Sequence, residues 1–198
     1  MEKIVVTGAT GYIGSHLVVA LREAGHEVIE MYHDFYPVQC DRVYHLACPS
    51  SSHNINTRTT EIMDIIFDQT RAALKICPTA LFINGSSLGC TDIDDPTEQG
   101  AYNNAKAAME RYVQFSGVKF INYRFPSVYN HAVRNDGIIK RAAEGRAIYP
   151  AEPDRLYYIG HMDDVIDALV NLKAMPVEFL TLGEIYEQFN SGRRGLHR

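Results

Sequence analysis

The sequence predicts an α/β fold, a doubly wound parallel sheet with helices on both faces, and three observations carry that expectation. Short, nearly continuous apolar runs alternate with longer stretches of helical periodicity, as in strands buried on both faces and joined by helices. The first apolar run leads into three glycines spaced three apart, Gly8, Gly11 and Gly14, at the mouth of a helix. No repeat or low-complexity linker breaks the alternation, and 198 residues suffice for one good core, so residues 1–198 read as a single domain.

Each element has its own signal. Lys3–Thr7 (KIVVT) is a buried strand. Ile13, Leu17, Ala20 and Ala24 fall on one helical face, and Gly25 stands where the helix should be capped. Val28-Ile29 begins a second strand, Asp41–Ala47 is a third and Ala80–Asn84 a fourth. Thr60–Cys77 has helical periodicity that stops before Pro78, and Ala101–Phe115 is a further helix leading to a strand at Lys119–Tyr123. Gly137–Glu144 reads as a short helix closed by Gly145. Met162–Leu172 is a helix with Asp163 or Asp164 in its first turn and Pro176 beyond its end. Thr181 and Glu184 have capping-box spacing for a last helix, and the Gly- and Arg-rich tail Ser191–Arg198 is expected to fray.

Composition narrows the function. The chain is 46% apolar and 22% charged, ordinary for a soluble globular protein, and its net charge of -5 offers no excess for neutralising nucleic-acid phosphates. No apolar run is long enough to span a membrane, and the N-terminus enters a strand without signal-peptide regions, so a cytoplasmic location is expected. Cys40, Cys48, Cys77 and Cys90 form no CxxC pair and the eight histidines no HxxxH pair, so neither zinc nor a disulfide framework is expected.

The glycine spacing has a chemical purpose. Gly8 permits a tight turn, Gly11 lets the backbone approach a pyrophosphate, and Gly14 lets helix and strand pack closely. The helix then offers unpaired N–H groups and its positive end to the phosphates, a dinucleotide site. Tyr102 and Lys106 lie four apart and so share one helical face. A phenol is a poor base at neutral pH, and a nearby ammonium favours its ionised form.

Five blocks in order resemble the extended short-chain dehydrogenases, the NAD-dependent epimerase and dehydratase group acting on nucleotide sugars. After Thr7–Gly14 (TGATGYIG) they are Asp41–Ala47, the strand ending Gly85-Ser86-Ser87, Tyr102-Asn-Asn-Ala-Lys106, Arg124–Tyr129 and Tyr158–Ala168. The resemblance implies a Rossmann sheet, NAD or NADP as cofactor, and a minimal substrate-binding portion drawn mainly from 125–198. It implies that Tyr102 takes a proton from a sugar hydroxyl, leaving a transient ketone. Lys106 would support Tyr102 and meet the nicotinamide ribose, and Ser87, with Ser86 in reserve, would bond the reacting oxygen. Tyr12 and Ile13 would place amides near the pyrophosphate, and Leu46 and Ala47 would line the cofactor. Ser127 stands where many relatives have a substrate-touching asparagine. Arg155 matches an arginine used on the nucleotide diphosphate, with Arg134, Lys140 and Arg141 as further phosphate candidates. A homodimer would pair Thr60–Cys77 and Ala101–Phe115 into a four-helix bundle, with Ala107, Ala108 and Val113 as its close-packed face, unless those residues pack on the sheet instead.

The chain also departs from that pattern. The acid expected to grip the adenosine ribose is replaced by Tyr32, followed by His33 and then Asp34. Only residues 32–40 separate Met31 from Asp41, where relatives place a helix, a strand and another helix. Ser87 is followed by Leu88-Gly89-Cys90, without the carboxylate that dehydratases and decarboxylases use as acid or base. Epimerisation or keto-reduction needs only the Ser-Tyr-Lys set and is therefore favoured. A cofactor-binding regulator without turnover, and an NADPH-dependent reductase of a small ketone, are the alternatives.

Overall fold

A computed structural model describes residues 1–32, 34–49, 59–91, 98–130, 156–175 and 177–190. It divides into two units, Met1–Phe125 and Pro126–Arg198.

In the first unit β1 (Lys3–Thr7) leads into α1 (Tyr12–Glu23) and β2 (Glu27–Met31). Then come β3 (Arg42–His45), α2 (Thr59–Ala73), β4 (Leu81–Ser87), a 3₁₀ turn at Leu88–Thr91, α3 (Glu98–Gln114) and β5 (Lys119–Phe125). The five strands form one parallel sheet in the order β2-β1-β3-β4-β5. The order reverses at β1, whose two neighbours are β2 and β3, and ligands of open α/β sheets bind beyond the strand ends at such a point. The short 32–40 link leaves β2 as the sheet's edge, as its length required.

Strand alternation sorts the core. Val5, Met31, Val43 and Phe82 join Ala73 near the end of α2 and Val113 of α3 on one face of the sheet. Ile4 and Val6 point the other way, and α1, which packs on β1 and β2, buries Leu17, Val18 and Leu21. Each such side chain contributes roughly 1.5–3 kcal/mol by leaving water.

Several expectations are corrected in detail. The buried face of α1 is Gly14, Leu17, Val18 and Leu21; Ala24 is exposed and Ile13 and Ala20 are half-buried, because packing on two strands centres the contact one residue away from the Ile13–Ala24 stripe. α2 stops at Ala73 rather than Cys77: the Lys75 and Ile76 amides bond carbonyls three residues back, which tightens the chain into turns. β4 runs on to Ser87 and β5 to Phe125, since each extra residue finds a ladder partner in the other.

The second unit holds β6 (Ser127–Tyr129), β7 (Tyr157–His161), α4 (Met162–Val170), β8 (Glu178–Leu180) and α5 (Leu182–Asn190). Its sheet, β6-β7-β8, pairs β6 with β7 in parallel and β7 with β8 antiparallel. α4 ends at Val170 rather than Leu172, whose φ of 52° is left-handed. The capping box forms as its spacing predicts: the Thr181 amide donates to Glu184 Oε2 at 2.8 Å, and the Glu184 amide donates back to Thr181 Oγ1 at 3.3 Å. Gly137–Glu144, Pro176 and Ser191–Arg198 lie outside the described residues.

Candidate functional site

The turn between β1 and α1 is built by backbone against backbone. Gly8 has φ 70°, and a Cβ there would meet the Ala47 nitrogen at 2.6 Å and the Leu46 carbonyl carbon at 2.7 Å. A Cβ on Gly14 would overlap the Gly8 carbonyl oxygen, and one on Gly11 would lie 3.0 Å from that same atom, which accepts the Gly11 amide at 2.9 Å. These contacts bring Gly8 against the Leu46 and Ala47 backbone. α1 starts with Gly11 as N-cap, no side chain caps it, and its first turn carries no acidic residue. Its first turn, which begins at Tyr12 and Ile13, therefore holds no carboxylate to compete for the helix's positive end. A dinucleotide fits here: the cradle excludes side chains and offers donors.

Beneath this turn runs a buried relay that sequence reading missed. The Ala47 amide donates to Thr7 Oγ1 at 3.3 Å, and Thr7 Oγ1 lies 2.9 Å from His45 Nδ1. His45 Nε2 lies 3.1 Å from Thr70 Oγ1, which itself donates to the Ile66 carbonyl at 2.8 Å. Thr70 spends its proton on Ile66 and must accept from Nε2–H, so we assign the Nε2–H tautomer, with Nδ1 accepting from Thr7. Every member is then satisfied with a neutral ring. Burial, aided by the Lys106 charge, pushes His45 down to about 3.

The second corner lies at the end of β4. Lys106 is buried, and its ammonium donates to the Gly85 carbonyl at 2.8 Å. Ser87 Oγ accepts the Gly89 amide at 3.1 Å, which leaves its own proton to be donated outward. Ser86 is buried instead, with Oγ 3.2 Å from Cys90 Sγ. Tyr102, one turn before Lys106 on α3, is half-buried and packs against the Ile66, Ala105 and Met109 cluster. Glu110 and Arg124, given no role from sequence, form a two-pronged ion pair with Nε–Oε1 at 2.9 Å and a second nitrogen on Oε2 at 2.7 Å. The available signal was the spacing Tyr102, Lys106, Glu110, which continues one stripe along the helix.

Tyr32 follows β2 directly and is exposed, with its hydroxyl donating to Glu30 Oε2 at 2.8 Å. Glu30 also binds Arg22 at 2.7 Å, and the hydrogen bonds from Tyr32 and then Arg22 hold its carboxyl below the usual range. Ser127 opens β6 in the second unit, paired in register with Ile159. His33, Arg134, Lys140, Arg141 and Arg155 lie outside the described residues.

The same strand–turn–helix that shapes the cradle also carries the family signal. Residues 4–72 match the model of the NAD dependent epimerase/dehydratase family. UDP-glucose 4-epimerases of Neisseria meningitidis serogroups B and C are 62% identical to this chain over 29 residues, which is 15% of this chain and only 9% of those relatives. Among solved structures, an NAD dependent NDP-hexosamine 5,6-dehydratase involved in tunicamycin biosynthesis matches 98% of this chain and 82% of its own, with TM-score 0.76 and 19% identity. The UDP-glucose 4-epimerase of Thermotoga maritima, solved with UDP-glucose, matches 93% of this chain and 80% of its own, with TM-score 0.72 and 18% identity. The UDP-glucose 4-epimerase of Thermus thermophilus, solved with NAD, matches 93% and 81%, with TM-score 0.71 and 18% identity. These structural likenesses establish the fold. Among the described residues no helix is long and apolar enough to cross a membrane, and no group of side chains is arranged to hold a metal.

Proposed function

We propose that the chain is a nucleotide-sugar enzyme of the epimerase or reductase kind, working through Ser87, Tyr102 and Lys106 by way of a transient keto sugar. One observation carries this reading: a glycine cradle shaped for a pyrophosphate occurs in the same unit as a buried lysine anchored on the strand end that bears the serines. NAD would lie with its pyrophosphate on Gly8–Gly14 and its adenosine toward Tyr32. NAD is preferred over NADP because Arg22 is already paired with Glu30 of β2 rather than open to a 2′-phosphate.

When bound, the nicotinamide supplies reversible oxidation of a sugar carbinol. The protein's own residues manage the proton. Tyr102 accepts it from the sugar hydroxyl, the Lys106 ammonium favours the phenolate, and Ser87 donates its free proton to the reacting oxygen. Lys106 spends one of three N–H donors on Gly85, which fixes its height along the strand and leaves two for tyrosine and ribose. The test is Tyr102→Phe, which removes only the hydroxyl. It should lower turnover of UDP-glucose or another nucleotide sugar by about 10²–10⁴-fold and leave NADH binding unchanged. Equal turnover would overturn the reading.

A second reading, a cofactor-binding regulator, is favoured by the family match, which covers the nucleotide turn but stops at residue 72. It predicts NADH fluorescence enhancement without turnover across a panel of nucleotide sugars. Oxidation of NADPH by a small ketone would point to the reductase.

A further inference from the structure

We propose that His45 and Thr70 are positioning residues that hold Ala47 against Gly8 through the Thr7 hydroxyl, an inference that rests on the cradle's being the dinucleotide site. Thr7 and His45 are register partners on β1 and β3, and Thr70 reaches them from α2. All three are buried. With the Nε2–H tautomer the whole relay donates in one direction. The Ala47 amide donates to Thr7 Oγ1, the Thr7 hydroxyl to His45 Nδ1, Nε2–H to Thr70 Oγ1, and the Thr70 hydroxyl to the Ile66 carbonyl. Each bond polarises the next, so a bond lost at Thr70 is felt at Ala47. The Ala47 bond, at 3.3 Å the longest of the chain, is the one that a weaker Thr7 acceptor releases first.

The place of that bond gives it consequence. β3 ends at His45, the Leu46 amide still donates to the Thr7 carbonyl at 3.2 Å, and the Ala47 amide turns to the Thr7 hydroxyl. A Cβ on Gly8 would stand 2.6 Å from that same Ala47 nitrogen, so the chain after β3 is one wall of the cradle and touches its floor. His45 is held for this task by rings. Phe82 lies 5.9 Å from it, and Phe35, from the 32–40 link, meets it edge-on at 6.3 Å. A second proton on the imidazole would turn Nδ1 into a donor and strand the Thr7 hydroxyl; burial, then the Lys106 charge, keeps the ring neutral. Thr70 thus acts on the cradle from a helix, through His45 and Thr7.

Thr7→Val and Thr70→Val each remove one hydroxyl at nearly constant shape, and Thr7→Ser and Thr70→Ser keep it. Amide hydrogen exchange at Ala47 reads the wall, with the Ile83 amide of β4 as control for global stability, and an NADH fluorescence titration reads the cradle. Both valine variants should speed Ala47 exchange about tenfold relative to Ile83. They should weaken NADH binding about three- to tenfold, the range of one hydrogen bond's net contribution. Thr70→Val should also move the ring proton from Nε2 to Nδ1, seen in the His45 nitrogen shifts, because Nδ1–H meets Thr7 whereas Nε2–H would face a methyl group. The double valine variant should lose no more affinity than Thr7→Val, since both act through one chain. The serine variants should behave as the parent. Unchanged Ala47 exchange in Thr70→Val, unchanged NADH affinity, or losses that multiply in the double variant overturn the proposal. A parent that binds no NADH would instead remove the cofactor reading, with Ala47 exchange and the ring tautomer still deciding whether Thr70 and His45 position Ala47.

Discussion

The turn after β1 and the corner after β4 both crown parallel strands of one sheet, yet they are held in opposite ways. After β1 the chain is shaped by the absence of side chains: Gly8 and Gly14 admit the carbonyl and amide neighbours that any Cβ would strike. After β4 it is shaped by side chains from distant positions, with Lys106 reaching Gly85, Arg124 pairing with Glu110 and Ser86 meeting Cys90. The difference teaches where tolerance should lie. A backbone cradle has no slack, because its contacts cannot rotate away. A side-chain clamp loses one bond at a time.

The largest expected effect therefore falls on the turn. Gly14→Val forces carbon into the Gly8 carbonyl and should cost about 3 kcal/mol or more in unfolding by urea, with NADH binding abolished. Gly11→Val, where the cradle leaves more room toward Gly8, should keep the fold and lose nucleotide affinity. Retained NADH affinity in Gly11→Val would remove the cradle from the cofactor site.

The relay under the turn gives a pH test of intermediate size. Unfolded His45 takes up a proton near 6.5, whereas the folded protein refuses it until about 3. The unfolded state thus binds more protons across that window, and stability present above pH 6.5 is lost as pH falls toward 3. The loss should approach about 1.4 kcal/mol per pH unit from this group. His45→Gln should be less stable at pH 7 and show a flatter profile between pH 6.5 and 4. An unaltered slope would mean that the ring takes up its proton in the folded state.

The smallest effect concerns association. The outer groove of α2 and α3 is lined by Phe67, Ala108, Arg111, Tyr112, Phe115 and Ser116, with Phe115 81% exposed. Of the two placements open for Val113, the sheet takes it, so the proposed homodimer would use Ala108, Tyr112 and Phe115. Phe115→Glu should shift the sedimentation mass toward the monomer and leave NADH binding untouched. A parent that is monomeric well above micromolar concentration ends the dimer proposal.

By itself the sequence determined what depends on neighbours a few residues apart. The run Lys3–Thr7, the three glycines, the stripe that puts Tyr102 and Lys106 together, and the Thr181–Glu184 box are rules of local sterics and helical period, and each is read within a dozen residues. Tertiary structure alone decided which of two adjacent serines turns inward, that Val113 belongs to the sheet, that α2 ends at Ala73, and that β6, β7 and β8 make a second sheet. It also decided that Glu110 meets Arg124, and that His45 joins Thr7 to Thr70. These contacts join residues far apart in the chain, and their energies depend on burial, ladder partners and side-chain reach, which no local spacing encodes.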